Sequence, residues 1–172
     1  LFSSRIDSLL NTLEEKDKAM ASVTITKNGQ VVYSKATGFI DNTGSSPLKA
    51  TPDSRYRIGS ISKMFTTVMI LQLVEEKKLS LDTPLSRFYK KVPNADSITI
   101  ADLLNHHSGL FNFTNSEDYT LWMTEYNSKN QLLEMIEGQK PAFAPHEKGE
   151  YSNTNFVLLG FIIEDVTGKT YP

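Results

Sequence analysis

The sequence predicts an α+β fold in which one helix and a β-hairpin precede a mostly helical body. The hairpin is indicated by Asn28 and Gly29, which stand between two short apolar runs and tolerate the positive φ angles of a two-residue turn. The helical body is indicated by two segments, from about Ser60 to Lys78 and from about Asn155 to Val166, with apolar side chains at helical spacing. A chain of 172 residues, 39% of them hydrophobic, is long enough to bury a core.

The predicted elements before residue 60 are a helix, the hairpin and a loop. The helix has apolar residues at helical spacing, and Ser3 or Ser4 can cap it. These apolar residues are Ile6, Leu9, Leu10 and Leu13. Residues 23–26 and 31–33 form the hairpin strands. Residues 41–54 are polar and contain glycine and proline, so a loop is expected there.

The helical body begins with the segment from Ser60, which is apolar nearly all round and is therefore predicted to be buried on most faces. Short helices and turns are expected from Leu81 to Gly138. One helical face in that stretch is aromatic and favours core packing over a cofactor site: Tyr119, Trp122, Met123 and Tyr126. The last helix should end at Gly168, a residue type that is common just past helix ends.

Composition excludes several classes of function. A net charge of −2 argues against a nucleic-acid partner, and the lack of cysteine excludes disulfides, thiolate metal sites and cysteine nucleophiles. The apolar runs are shorter than the roughly 20 residues of a membrane span. His106 and His107 are adjacent, which is poor spacing for metal ligands, and Gly168–Thr170 lacks the earlier glycine of a phosphate loop. We therefore expect neither a metal site nor a phosphate-binding loop.

Ser60 and Lys63 are the first candidate catalytic pair. Residues three apart on a helix share a face, so the lysine ammonium can reach the serine hydroxyl. In a dry setting a lysine loses some preference for its charged form and can act as a base or relay. Ser46 and Lys49 have the same spacing, which also arises by chance. Ser46 lies in a polar loop where nothing would desolvate the lysine, whereas Lys63 lies in an apolar helix.

Tyr151 and Asn153, just before the last helix, are the second candidate group. A phenol near an ammonium has its charged form favoured, as a tyrosine base requires. The asparagine amide can accept from a lysine and donate to a substrate carbonyl. The alternative is that Ser152 or Asn153 caps the helix with Tyr151 packed above it, and in isolation these residues favour that alternative.

Three segments together carry a family resemblance. Residues 57–65 contain the Ser-x-x-Lys spacing, residues 103–110 read Leu-Leu-Asn-His-His-Ser-Gly-Leu, and residues 151–169 begin with Tyr-Ser-Asn. In this order they resemble the serine β-lactamase and penicillin-binding protein family, most closely its class C β-lactamase, DD-peptidase and esterase branch. The resemblance implies a β-lactamase/transpeptidase-like fold with a single catalytic domain. Residues 1–58 would supply its helix and hairpin, and residues 59–172 would supply the mostly helical region.

The resemblance also implies a role for each candidate residue. Ser60 would be the acylated nucleophile and Lys63 its activating partner. Tyr151 would be the base or proton shuttle, and Asn153 would orient Lys63 and the substrate amide. The backbone N–H of Ser60 would be half of an oxyanion hole. Residues 106–109 are expected to hold loops together by hydrogen bonds and a turn. No metal or organic cofactor is implied.

The sequence departs from the family pattern in two places. Residues 145–150 lack the usual Pro-Gly and aromatic residue ahead of the tyrosine, which bears on substrate preference. No Lys-Thr-Gly or His-x-Gly strand motif follows Asn153, and the chain stops about halfway through a typical member. We therefore expect the N-terminal part of an incomplete fold, without its C-terminal strands and inactive alone.

The expected function is acyl transfer or hydrolysis through a covalent ester at Ser60, on a β-lactam, a D-amino-acid peptide or an ester. The alternative is an inert fragment, or a penicillin-binding or sensor module that needs a C-terminal companion. An uncovered hairpin edge would invite a homodimer or such a companion chain to complete the sheet. The resemblance implies the bacterial periplasm, cell envelope or secretion, although no export signal opens this sequence.

Overall fold

The computed structural model describes residues 2–171 and has the predicted α+β composition. It forms two compact units, one ending at Arg57 and the other beginning at Ile58. Among residues 2–171, none of the helices combines the length and hydropathy that crossing a membrane would require.

The first unit is built from a helix and an antiparallel hairpin. Helix α1 spans Phe2–Glu15, strand β1 spans Ala21–Lys27, and strand β2 spans Gln30–Thr37. The turn residues Asn28 and Gly29 have φ angles of 51° and 77°, as a two-residue turn of this kind requires. The predicted hairpin and its turn are therefore confirmed.

The predicted details of α1 are partly wrong. The helix already includes Phe2, so Ser3 and Ser4 lie inside it and neither is its N-cap. Leu10 is buried, but Leu9 is 58% exposed. Adjacent residues on a helix point about 100° apart, and here Leu10 lies on the packed side of α1 while Leu9 lies on its solvent side.

The stretch predicted as a loop, residues 41–54, contains regular structure. Strand β3, Phe39–Asp41, pairs antiparallel with strand β4, Leu48–Lys49, and forms a separate two-stranded sheet. Both strands are very short, so neither has a run of residues long enough to show strand periodicity. The glycine and proline between them predict only a turn.

The second unit is mostly helical, as predicted. Its α-helices in chain order are α2, Ser62–Glu75; α3, Ile100–Leu104; α4, Tyr119–Trp122; α5, Lys129–Glu137; and α6, Asn153–Thr167. Short 3₁₀ turns cover Gly59–Ile61, Leu85–Arg87 and Phe113–Asn115.

The core of this unit lies where α6 packs against α2 and α3. Its fully buried members include Ile70, Ile100, Leu103, Leu158 and Ile162. Helix α6 ends at Gly168, whose φ of 68° gives the left-handed conformation that glycine adopts at no steric cost. The predicted last helix and its C-cap are confirmed, and the packing of α6 on α2 positions the candidate site.

The prediction that the segment from Ser60 forms a helix buried on most faces is wrong. Helix α2 buries Thr66, Ile70 and Leu73, but Met64 is 68% exposed and Phe65 is 61% exposed. Apolar residues lie on nearly every side of the helix in sequence, but only one side is covered by other residues that the structure describes. Among residues 2–171, the side with Met64 and Phe65 stays open to solvent.

The aromatic face predicted for residues 119–126 is only half correct. Tyr119 and Trp122 pack on Phe113, with ring centroids 6.1 and 5.9 Å from its ring. Met123 and Tyr126, however, are exposed. The reason is that α4 ends at Trp122, so the helical spacing that would align the later side chains does not continue.

Candidate active site

Ser60 and Lys63 lie where a short 3₁₀ turn leads directly into α2. Ser60 is in the 3₁₀ turn Gly59–Ile61, and Lys63 is in the first turn of α2. Gly59 has a φ of 54°, which favours glycine at the entry to this turn. The Lys63 Nζ donates a hydrogen bond to the Ser60 Oγ at 3.3 Å. The helical spacing therefore brings the two groups together, as predicted.

Tyr151 and Asn153 reach the same place from the start of α6. The Tyr151 Oη lies 2.6 Å from the Ser60 Oγ, and the Lys63 Nζ donates to the Asn153 Oδ1 at 2.7 Å. The Tyr151 Oη also donates to the Asn153 Oδ1 at 3.2 Å. All four predicted residues thus form one hydrogen-bonded cluster across about 90 residues of sequence.

The alternative interpretation of this segment, a simple helix cap, does not describe the side chains. Ser152 occupies the N-cap position of α6 but makes no side-chain capping hydrogen bond. Its buried Oγ has no hydrogen-bond partner among the residues that the structure describes. Asn153 is the first residue of the helix, and its side chain faces Lys63 instead of capping the backbone.

The hydrogen bonds of the cluster have a defined direction. A lysine ammonium can only donate, so the Ser60 Oγ accepts from Lys63. The Tyr151 hydroxyl donates its one proton to Asn153. Its oxygen can then accept the proton of the Ser60 hydroxyl, which lies within hydrogen-bond reach. Ionisation of the Tyr151 phenol would leave its oxygen in the same place, where it can take up that proton and so activate a serine nucleophile.

Tyr151 is electrostatically suited to accept that proton. Burial by itself raises the pKa of the Tyr151 phenol, but hydrogen bonds from Lys63 and Ser60 and the charge of Lys63 outweigh burial. The net effect lowers the pKa of Tyr151 below its ordinary value. The Lys63 Nζ lies 4.9 Å from the centroid of the Tyr151 ring. The surroundings of Lys63 are less dry than the sequence indicated, because this side chain is only partly buried and Ser60 is exposed.

The His106–Gly109 segment contacts α6 from behind the cluster. The His106 Nδ1 accepts a hydrogen bond from the Ser152 N–H at 3.2 Å, and its ring lies 4.7 Å from the Tyr151 ring. Burial, with a smaller contribution from the Lys63 charge, lowers the pKa of His106 and favours the neutral form that this acceptor role requires. Ser108 donates to the buried Asn155 Oδ1 at 2.6 Å.

The second Ser-x-x-Lys pair has different surroundings. Lys49 lies 3.6 Å from the carboxylate of Glu14, and its side chain is 73% exposed. Ser46 is exposed in the segment before β4. The surroundings of Lys49 are therefore solvated, as the polar loop composition indicates.

Two residues that sequence reasoning missed hold Asn153 in place. The Asn153 backbone N–H donates to the Asn112 Oδ1 at 3.0 Å, and the Asn153 Nδ2 donates to the Thr114 Oγ1 at 3.0 Å. Both partners lie about 40 residues earlier in the chain. An asparagine and a threonine on either side of Phe113 give no local signal of such a role.

A cavity of about 460 Å³ adjoins Lys63 and Asn153. Its walls are largely apolar and include Phe113, Tyr119 and Phe156. Such a combination of apolar walls and a few polar groups is typical of small-molecule sites. Within residues 2–171, no group of three or more His, Cys, Asp or Glu side chains could hold a metal ion.

The chain is similar to curated proteins from Staphylococcus aureus. It is 35% identical over 173 residues to Protein flp, an alignment that covers 97% of this chain and 34% of that protein. It is 33% identical over 152 residues to a teichoic acid D-alanine hydrolase, covering 87% of this chain and 36% of that protein. The chain therefore spans about a third of the length of these relatives.

A solved structure and a family model agree with these sequence similarities. The D-amino acid amidase from Ochrobactrum anthropi SV3, complexed with D-phenylalanine, superposes with a TM-score of 0.81 at 26% identity. That match covers 98% of this chain and 47% of the amidase. The β-lactamase-like fold expected from the motifs is confirmed. The family model described as Beta-lactamase matches residues 7–172. The chain belongs to the Beta-lactamase family.

Proposed function

We propose that this protein is a serine hydrolase or acyltransferase that works through a covalent ester at Ser60. The observation that carries the proposal is the Ser60 hydroxyl, which lies 2.6 Å from the Tyr151 oxygen and 3.3 Å from the Lys63 nitrogen. A nucleophile within reach of a base that another group orients is the general arrangement for covalent catalysis by serine.

The proposed reaction has two steps, acylation of Ser60 and hydrolysis of the resulting ester. Tyr151, in its ionised form, takes the hydroxyl proton while the Ser60 Oγ attacks the carbonyl carbon of the substrate, and the resulting tetrahedral oxyanion accepts a hydrogen bond from the Ser60 backbone N–H. The bond to the leaving group then breaks, and the leaving group takes up the proton. Water, activated by the same base, next attacks the ester, which releases the acid and restores the Ser60 hydroxyl.

Lys63 and Asn153 support these steps. The Lys63 ammonium stabilises negative charge on Tyr151 and Ser60, because it donates to Ser60 and lies beside the phenol ring. The Asn153 Oδ1 accepts from Lys63 and so holds the ammonium in place. One of the two Nδ2 hydrogens of Asn153 is engaged by Thr114, and the other can donate to a substrate carbonyl.

The proposed substrate class is a D-amino-acyl ester or amide. Two similar proteins, a teichoic acid D-alanine hydrolase and a D-amino acid amidase, are both named for a D-amino acid in their substrates. The apolar cavity beside Lys63 and Asn153 offers room for the side chain of such a substrate. β-Lactams and simple esters remain within the proposed chemistry, because each presents a carbonyl to Ser60. The proposed location is the bacterial envelope.

A second candidate function is a binding or sensor module that is acylated without turnover, or needs a companion chain or a second copy to act. The observation that favours it is the exposed apolar side of α2, which includes Met64, Phe65 and Val68. Apolar side chains exposed on one face of a helix are typical of a surface that another protein segment covers. Such a segment would complete the surroundings of the catalytic cluster.

A labelling experiment tests the proposal. A fluorophosphonate or a fluorescent penicillin should label the wild-type protein covalently. The label should disappear in Ser60→Ala and persist in Ser46→Ala, the matched variant of the solvated Ser-x-x-Lys pair. Label that persists in Ser60→Ala would overturn the assignment. Labelling of Ser60 with no turnover of D-alanyl esters would favour the second candidate.

A further inference from the structure

A chain of hydrogen bonds runs behind Asn153, on the side away from Lys63. Thr114 Oγ1 donates to the Asn112 Oδ1 at 3.0 Å and accepts from the Asn153 Nδ2 at 3.0 Å. The Asn112 Nδ2 continues the chain to the Asn115 Oδ1 at 3.2 Å. These residues lie in and beside the 3₁₀ turn Phe113–Asn115, far from the catalytic motifs in sequence.

The direction of these hydrogen bonds can be assigned from one group that is always a donor. The backbone N–H of Asn153 can only donate, so the Asn112 atom that it meets at 3.0 Å is the oxygen, Oδ1. A carbonyl oxygen has two lone pairs, so the Asn112 Oδ1 can also accept the hydroxyl proton of Thr114. The Thr114 hydroxyl therefore donates its proton to the hydrogen bond with the Asn112 Oδ1.

The same logic orients the Asn153 amide. Because the Thr114 hydroxyl has given its proton to Asn112, it can only accept from Asn153, so the Asn153 atom facing it is Nδ2. The other end of the amide, Oδ1, then faces Lys63 at 2.7 Å. The reversed amide would direct N–H groups at an ammonium, which only donates, and would remove its acceptor.

We propose that Thr114 is a positioning residue that locks the Asn153 amide with Oδ1 toward Lys63 and thereby holds the Ser60–Lys63–Tyr151 cluster in its reactive arrangement. Its effect on catalysis rests on the proposed function, because Thr114 acts only through Asn153. The hydroxyl is the part that matters, so serine should replace threonine and valine should not.

The kinetic test compares three variants in the complete protein. Thr114→Val, which keeps the shape and removes the hydroxyl, should lower the rate of Ser60 acylation by about three- to tenfold, the effect of one lost hydrogen bond. KM should change little, because the residue orients the cluster and does not bind substrate. Thr114→Ser should restore the rate to within about twofold. Thr120→Val, the same change at an exposed threonine nearby, should leave it unchanged. Equal rates in the valine and serine variants would overturn the proposal.

A second measurement is independent of activity. The Asn153 Nδ2 protons give side-chain amide signals in a ¹⁵N-edited NMR spectrum, identified by their loss in Asn153→Asp. Thr114→Val should shift these signals and speed their exchange with solvent, whereas Thr114→Ser should preserve them. Unchanged signals in Thr114→Val would overturn the amide lock. If Ser60 is not labelled in the wild type, the proposed function is refuted. The NMR measurement would then still decide whether Thr114 orients the Asn153 amide.

Discussion

Removing the Ser108 hydroxyl should destabilise the second unit without removing any side chain of the Ser60–Lys63–Tyr151–Asn153 cluster. Ser108 is 1% exposed and donates to the Oδ1 of Asn155, which is fully buried, at 2.6 Å. The same Ser108 oxygen accepts from the Leu110 N–H at 3.2 Å. Ser108→Ala therefore deprives two buried groups of a partner at once.

The expected cost follows from those two contacts. A buried polar group left unpaired costs about 1–3 kcal/mol. The Asn155 oxygen lies close to the hydroxyl and is fully buried, whereas the Leu110 bond is longer. We therefore expect Ser108→Ala to lower the free energy of unfolding by about 2–4 kcal/mol, a large part of the typical 5–15 kcal/mol of a folded domain.

Urea unfolding followed by tryptophan fluorescence can measure this difference. The sequence contains one tryptophan, Trp122, whose packing on Phe113 makes it a probe of the second unit. Ser97→Ala, at an exposed serine in the same unit, is the matched control and should change the free energy of unfolding by less than about 0.5 kcal/mol. Equal unfolding free energies for Ser108→Ala and Ser97→Ala would refute the structural role of the Ser108 hydroxyl.

Two further changes test the proposed base, Tyr151, and the close packing at Gly109. Tyr151→Phe should slow Ser60 acylation by about 10²–10⁴-fold, because a base within hydrogen-bond reach is lost. In the wild type, acylation should rise with pH as the phenol ionises, below the ordinary phenol pKa near 10, since the pKa of Tyr151 is lowered. A rate–pH profile that Tyr151→Phe leaves unaltered would contradict this role. Gly109→Ala should destabilise the fold by more than about 2 kcal/mol, because its φ is 71° and a Cβ would lie 2.1 Å from the Phe143 carbonyl oxygen. Gly138→Ala, whose Cβ would meet nothing closer than 3.4 Å, is the control in thermal unfolding, and an equal loss in both variants would count against the clash.

Local pattern was sufficient for the parts of this protein whose structure is decided within a few residues. The hairpin was predictable because Asn28 and Gly29 accept the φ angles of its turn. The pairing of Ser60 with Lys63 was predictable because a three-residue spacing places both on one helical face. The end of α6 at Gly168 follows from the same kind of local preference.

Predictions that depended on distant partners were less successful. The apolar sequence of α2 indicated burial, yet burial depends on which segments cover the helix, and Met64 and Phe65 stay exposed among the described residues. The helical spacing of Tyr119 and Trp122 continued in the sequence to Tyr126, but the helix does not. The β3–β4 pairing was missed because two-residue contacts have almost no periodicity to detect.

The Ser60–Lys63–Tyr151–Asn153 cluster shows which features the sequence determines and which depend on packing. Residue types and motif order in the sequence identified Ser60, Lys63, Tyr151 and Asn153 and the family to which the chain belongs. The distances among them, the direction of their hydrogen bonds and the support from Thr114 depend on how α6 packs against α2. The physical reason is that side-chain chemistry belongs to each residue, whereas a hydrogen bond between residues about 90 positions apart exists only after the helices that carry them have packed.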